Sequence, residues 1–116
     1  MEIRLTRSGS TLVARPLGRW LDAQTAPHVQ RAVAAAIEDG ARSVVLDLGE
    51  VTTVDSAGLG AMMRLLKLIP EGGRLVLCDC LPQVKELLER SRLDSILVAY
   101  PDTDAALRAI AAGTAL

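Results

Sequence analysis

The chain has 116 residues, half of them hydrophobic, yet Trp20 and Tyr100 are its only large aromatics and Phe is absent. A chain of this size builds one domain around an aliphatic core without disulfides or metal. Thirteen basic residues are set against fourteen acidic ones, a net charge near −1 with no basic block, which argues against nucleic acid and anionic membrane surfaces as partners.

Arg64 and Lys67 interrupt the greasiest run, so nothing approaches the roughly 18 apolar residues of a membrane span. The start Met1-Glu2-Ile3-Arg4 carries no signal-peptide apolar region. A cytoplasmic protein with no membrane insertion is expected. Cys78 and Cys80 are two apart on a predicted strand, where they share a face but strain a disulfide. Buried, reduced thiols are expected, and with a single histidine neither a zinc site nor another cofactor.

In chain order, Glu2 to Arg7 alternates, Ser8-Gly9-Ser10 turns, and Thr11 to Arg15 is again extended, which predicts a β-hairpin. Pro16 to Asp22 reads as a loop. Thr25 is the expected N-cap of a first helix with Pro27 in its first turn; Ala26, Val29, Val33, Ala36 and Ile37 repeat at helical spacing, and Gly40 closes it. Ser43 to Leu48 is a nearly continuous aliphatic strand of the kind buried on both faces, interrupted by Asp47. A second helix follows Asp55-Ser56-Ala57-Gly58. Pro70 to Gly73 is a turn, Arg74 to Cys80 a strand, and Pro82 starts a third helix ending near Ser91-Arg92. Ile96 to Tyr100 is a short last strand, and Asp102 or Thr103 caps a final helix through Leu107 and Ile110. The hairpin followed by alternating helices and strands predicts a single α/β domain: a mixed, mostly parallel sheet packed with about four helices.

The stretch from Val51 to Ile69 carries the most chemistry. A compact polar turn precedes a helix-period apolar run, so the Ser56 hydroxyl sits at or beside a helix N-terminus, where unpaired N–H groups and the dipole suit a phosphate. Advancing about 100° per residue groups Leu59, Met62, Met63, Leu65, Leu66 and Ile69 on one arc, with Arg64, Lys67 and Gly60 opposite and Ala61 and Leu68 beyond them. That arc is first of all a core face. Met63 and Leu68, at its margins, would offer an adaptable apolar contact if exposed beside Ser56. Asp22, Asp47 and Asp55 all fall at strand or loop ends near one edge of the predicted sheet and would make an acidic pocket, though Asp at loops is commonplace.

Enzymatic readings fit less well. Gly58-Leu59-Gly60 begins a dinucleotide-like glycine pattern and Asp79 lies about 20 residues on, but Met63 holds the third glycine position and the segment after Leu48 is too long for the required tight turn. His28 is the sole histidine, and Ser56 lacks the Gly-x-Ser-x-Gly elbow, so nucleophilic catalysis is not supported either.

The run Asp55-Ser56-Ala57-Gly58-Leu59-Gly60 resembles the signature of the STAS domain, the fold of bacterial anti-sigma factor antagonists. Val44 to Leu48 with Val51 and Val54 is similar to the strand leading into that motif, Gly72 to Leu77 resembles the next strand, and Val84 to Leu93 the third helix. The resemblance spans nearly the whole chain and implies one STAS domain over residues 1–116 that is not itself an enzyme. It implies phosphorylation of Ser56 by a partner that is both serine kinase and anti-sigma factor. The unphosphorylated form binds that partner and frees the sigma factor; phosphorylation releases it; a serine phosphatase resets the cycle. Partner contacts are then expected from Asp22, Asp47, Asp55, Ser56, Gly58, Leu59, Met62 and Met63. The alternative is a STAS subunit held permanently in a lipid-transport or signalling assembly, with Ser56 structural. One departure stands out: where the family carries a Gly-acid-Leu-Asp turn, this chain has Gly18-Arg19-Trp20-Leu21-Asp22. Trp20 is there either as an interface anchor or as a cover for the sheet edge.

Overall fold

A computed structural model describes residues 1–113; the last three residues of the expected domain lie outside the described residues. The hairpin pairs β1 (Ile3–Ser8) antiparallel with β2 (Thr11–Pro16), Ser8 opposite Thr11. From there the sheet is built by parallel addition. β4 (Ser43–Asp47) lies beside β2, β6 (Leu75–Cys78) beside β4, and β7 (Ala99–Tyr100) beside β6, giving the order β1-β2-β4-β6-β7. Only β1 opposes the others, as the pattern of one hairpin followed by crossovers requires.

Strand alternation sends the side chains of the central strands into two separate layers. Leu12, Ala14, Val44, Leu46, Leu75 and Leu77 face α1 (Ala26–Glu38), α2 (Ser56–Leu68) and α3 (Pro82–Arg90), whose Val29, Val33, Met62, Leu65, Val84 and Leu88 complete the larger core. Val45, Val76 and Cys78 point the other way, against Ala106 of α4 (Thr103–Ala111). All five residues of β4 are buried, which is why its sequence reads as a continuous apolar run rather than an alternating one.

Several expectations need correction. Residues 16–22 are not all loop: Pro16 ends β2, and Trp20–Leu21 forms a strand, β3, paired in parallel with β5 (Thr53–Val54) as a separate two-stranded ribbon. β6 ends at Cys78, because Asp79 adopts the left-handed conformation at φ 56°. Cys78 therefore belongs to the α4 layer and Cys80 packs against the other, so the two thiols do not share a face. Both are free, but only Cys78 is fully buried and Cys80 is half-buried; desolvation pushes Cys78 up to about 12 and Cys80 up to about 11. On α2 the buried stripe is Gly58, Ala61, Met62 and Leu65, which brings Ala61 into the core instead of the outer face. The last strand is shorter than expected, two residues at Ala99–Tyr100.

Candidate functional site

The site begins with the segment that leaves β4. Asp47 Oδ1 accepts from the Gly49 N–H at 2.9 Å, and Arg15 bridges Asp47 Oδ2 at 3.0 Å and Glu50 Oε2 at 3.1 Å. This clamp ties the turn after β4 back to β2. Both carboxylates raise the Arg15 pKa, the hydrogen bond it donates to Glu50 most. The Thr52 and Thr53 N–H groups then both donate to the Arg19 carbonyl, at 2.8 and 3.0 Å, which starts the β3–β5 ribbon. Its register sets Trp20 beside Thr53 and Leu21 beside Val54. Each strand is followed directly by an aspartate, Asp55 at the start of α2 and Asp22 three residues ahead of Thr25, the N-cap position of α1.

Asp55 is the N-cap of α2: its backbone is extended, and its Oδ1 accepts from the Gly58 N–H at 2.9 Å. Capping by an aspartate satisfies one of the orphan N–H groups and places negative charge at the positive end of the dipole. Ser56, at the first helical position, is left with no capping duty. It is exposed, and its hydroxyl makes no hydrogen bond among the described residues. Asp22 serves the start of α1. Its Oδ1 accepts from the Gln24 and Thr25 N–H groups at 3.0 and 3.1 Å, and these bonds, Thr25's foremost, hold its carboxyl below the ordinary range. Thr25 is therefore no side-chain cap. Its hydroxyl donates to the Trp20 carbonyl at 2.8 Å and accepts from the Asp22 N–H at 3.0 Å, stitching the ribbon to the helix.

Gly58 explains why the two starts lie so close. A Cβ there would fall 2.2 Å from the Leu21 carbonyl oxygen, so the first turn of α2 sits directly on the β3 backbone and admits no side chain. The second glycine, Gly60, meets only the end of the Arg64 side chain, at 3.4 Å. The glycines that suggested a phosphate loop are thus one packing necessity and one ordinary helix position.

The structure brings together Asp22, Asp55, Ser56, Leu59 and Met63. Ser56, Leu59 and Met63, spaced i, i+3 and i+7, follow one side of α2, the last two only partly buried. It does not bring the others to that surface. Met62 is 1% exposed and belongs to the core, Gly58 is buried against Leu21, and Asp47 is 4% exposed, on the sheet face that bears α4, locked to Arg15. Leu68 is exposed, but twelve residues from Ser56 at about 1.5 Å each it lies at the far end of α2. Asp47, Cys78 and Asp79 offer ligand atoms within 4.8 Å of one another, with Asp47 already paired to Arg15. His28 Nδ1 lies 3.3 Å from Arg31 Nη2. Sequence reasoning missed the Arg15 clamp and the ribbon; the Asp-x-x-Gly spacing at residues 55–58 was the available signal for an aspartate cap.

Comparisons with known proteins bear on the fold and the family. BtrV of Bordetella bronchiseptica is 36% identical over 90 residues, 77% of this chain and 78% of that one. The anti-sigma F factor antagonist of Paenibacillus polymyxa is 32% identical over 102 residues, 86% of each chain. An anti-sigma factor antagonist from Mycobacterium paratuberculosis shares the fold at a TM-score of 0.84 and 22% identity, covering 95% of this chain and 93% of that one. The Bacillus cell fate determinant SpoIIAA in its phosphorylated form superposes at 0.69 and 21% identity, covering 92% and 98%. The STAS-domain family model matches residues 2–106, nearly all of the described chain, and the protein is a member of the STAS-domain family.

Proposed function

We propose that this chain is an anti-sigma factor antagonist switched at Ser56. The unphosphorylated form binds an anti-sigma factor that is also a serine kinase and so frees a sigma factor. Phosphorylation of Ser56 ends that binding, and a serine phosphatase restores it. The chain is substrate and binding module in the cytoplasm, not an enzyme. The observation that carries this reading is the division of labour at the start of α2: Asp55 performs the capping, and Ser56 is exposed with its hydroxyl unengaged.

A phosphoserine adds about −1.5 to −2 charge. The N-terminus of α2 accommodates that charge in the free protein, so the fold need not change. Docked against a partner, the phosphate meets Asp55 and Asp22 with water excluded, and like charges juxtaposed in an interface cost several kcal/mol. Each ~1.4 kcal/mol weakens binding about tenfold. The contact surface under this reading is Asp22, Asp55, Ser56, Leu59 and Met63, while Asp47, Gly58 and Met62 support it from inside.

The test is to incubate the chain with ATP and the host's anti-sigma factor serine kinases, purified singly. One kinase is expected to deposit one phosphate, on Ser56, and Ser56→Ala should remain unmodified by mass spectrometry. Modification of Ser56→Ala, or a Ser56→Glu variant that binds as tightly as the parent, would sink the proposal. So would a complex that persists unchanged with ATP, the behaviour of a permanent subunit.

A further inference from the structure

Trp20 is the one large feature of the ribbon that folding does not consume. Strand alternation turns Leu21 into the core at 1% exposure and leaves Trp20 59% exposed. A tryptophan side chain offers roughly 150–250 Å² of surface, so much apolar area is left in water here. The backbone beneath it is nevertheless fixed. Arg19 O accepts from the Thr52 and Thr53 N–H groups, Trp20 O accepts from the Thr25 hydroxyl, and the register seats Trp20 beside Thr53, three residues before Ser56. An aromatic on a rigid ledge has little ordering entropy left to lose on docking, which is how interface anchors gain their affinity. Covering the sheet edge would have buried the ring. Its own strand and the neighbouring one are each followed by an aspartate, Asp22 and Asp55, while exposed Arg19 precedes the ring.

From this placement we infer that Trp20 is a specificity-determining anchor for the kinase partner, received by an apolar slot with a basic side chain at its rim. Such a rim complements the two aspartates and stacks a cation on the indole face. The inference rests on the proposed partner and adds a contact that the Ser56 switch does not require. A kinase without the slot would still have Ser56 within reach but would hold this chain poorly.

The test titrates the full chain, unphosphorylated and without ATP, against the kinase that modifies Ser56, using the parent, Trp20→Phe and Trp20→Ala. Trp20→Ala should weaken binding at least tenfold and Trp20→Phe less, with unchanged thermal midpoints. In phosphorylation assays Trp20→Ala should raise KM for the chain while leaving kcat alone. Trp20 is the chain's sole tryptophan, so with a kinase free of tryptophan its emission should shift to the blue and resist acrylamide quenching on complex formation. Trp20→Ala binding within twofold of the parent, or emission that ignores the partner, overturns the anchor. So does a Trp20→Ala variant that loses only self-association in sedimentation, which would assign the ring to a second copy. If Trp20→Ala loses affinity but Ser56 is never phosphorylated, the switch fails and the anchor stands; a parent chain that binds none of the kinases sinks both.

Discussion

The starts of α1 and α2 are built alike and used differently. Each follows one strand of the β3–β5 ribbon, each has an aspartate accepting from backbone N–H, Asp55 at the N-cap of α2 and Asp22 in the turn three residues before the N-cap of α1, and each has a hydroxyl nearby. At α1 the Thr25 hydroxyl is engaged on both sides, donating to Trp20 O and accepting from Asp22 N. At α2 the hydroxyl of Ser56 has no partner among the described residues. One hydroxyl therefore belongs to the scaffold and the other is available for chemistry. Both hydroxyls lie within one residue of a helix start, Thr25 at the N-cap of α1 and Ser56 at the first position of α2, and hydrogen-bond accounting shows which of them is engaged.

That contrast can be broken most severely at Gly58, which lets the two starts touch. Gly58→Ala drives a methyl into the Leu21 carbonyl, and with no flexible side chain to yield, a loss of about 3 kcal/mol is expected, measured by denaturant unfolding. A loss under about 0.5 kcal/mol would mean that the ribbon and α2 are not held together as described. The sharper test compares the hydroxyls. Thr25→Val strands the Trp20 carbonyl and the Asp22 N–H, both partly screened by solvent, and should cost about 1–2 kcal/mol. Ser56→Ala should stay within about 0.5 kcal/mol of the parent. Equal losses would erase the distinction.

The smallest effect is electrostatic. The Asp22 carboxyl titrates below its ordinary value of 3.8 in the folded chain because Thr25 donates to it. A depressed carboxylate contributes stability above the unfolded pKa and loses it as pH falls through the lower folded value. The parent should therefore lose stability from about pH 4 downward, and Asp22→Asn should show a shallower acid slope in thermal unfolding. An identical slope would remove Asp22 from the acid response.

Much of this architecture is readable in the chain because it is local. The hairpin at Gly9, the buried run at residues 43–47 and the end of α1, where Gly40 takes φ 105°, each declare themselves within a few residues. The ribbon does not: its strands are two residues long and lie more than thirty positions apart, so neither periodicity nor propensity has room to register. The arc drawn on α2 rightly put Met62 in the core but left Ala61 out, and it did not show that Met62 lies too deep to meet a partner. Periodicity identifies a face, but the depth of burial on it depends on what packs there, and here β3 presses on one side of the helix start. Asp47 misled because sitting at a strand end does not reveal which sheet face a side chain takes; its carboxylate turns toward Arg15 and is enclosed.

The division of the two cysteines between layers has a practical consequence. With their thiols pushed up to about 12 and about 11, both are overwhelmingly protonated at neutral pH and poor nucleophiles while the chain is folded. Cys78 Sγ also lies 3.5 Å from the Thr103 hydroxyl at the start of α4, so a reagent reaches it when that helix lifts, whereas Cys80 reports on the opposite layer. The native pair is thus graded: Cys78, fully buried, times the lifting of α4 by its alkylation rate, and half-buried Cys80 serves as the faster internal reference without any engineered label.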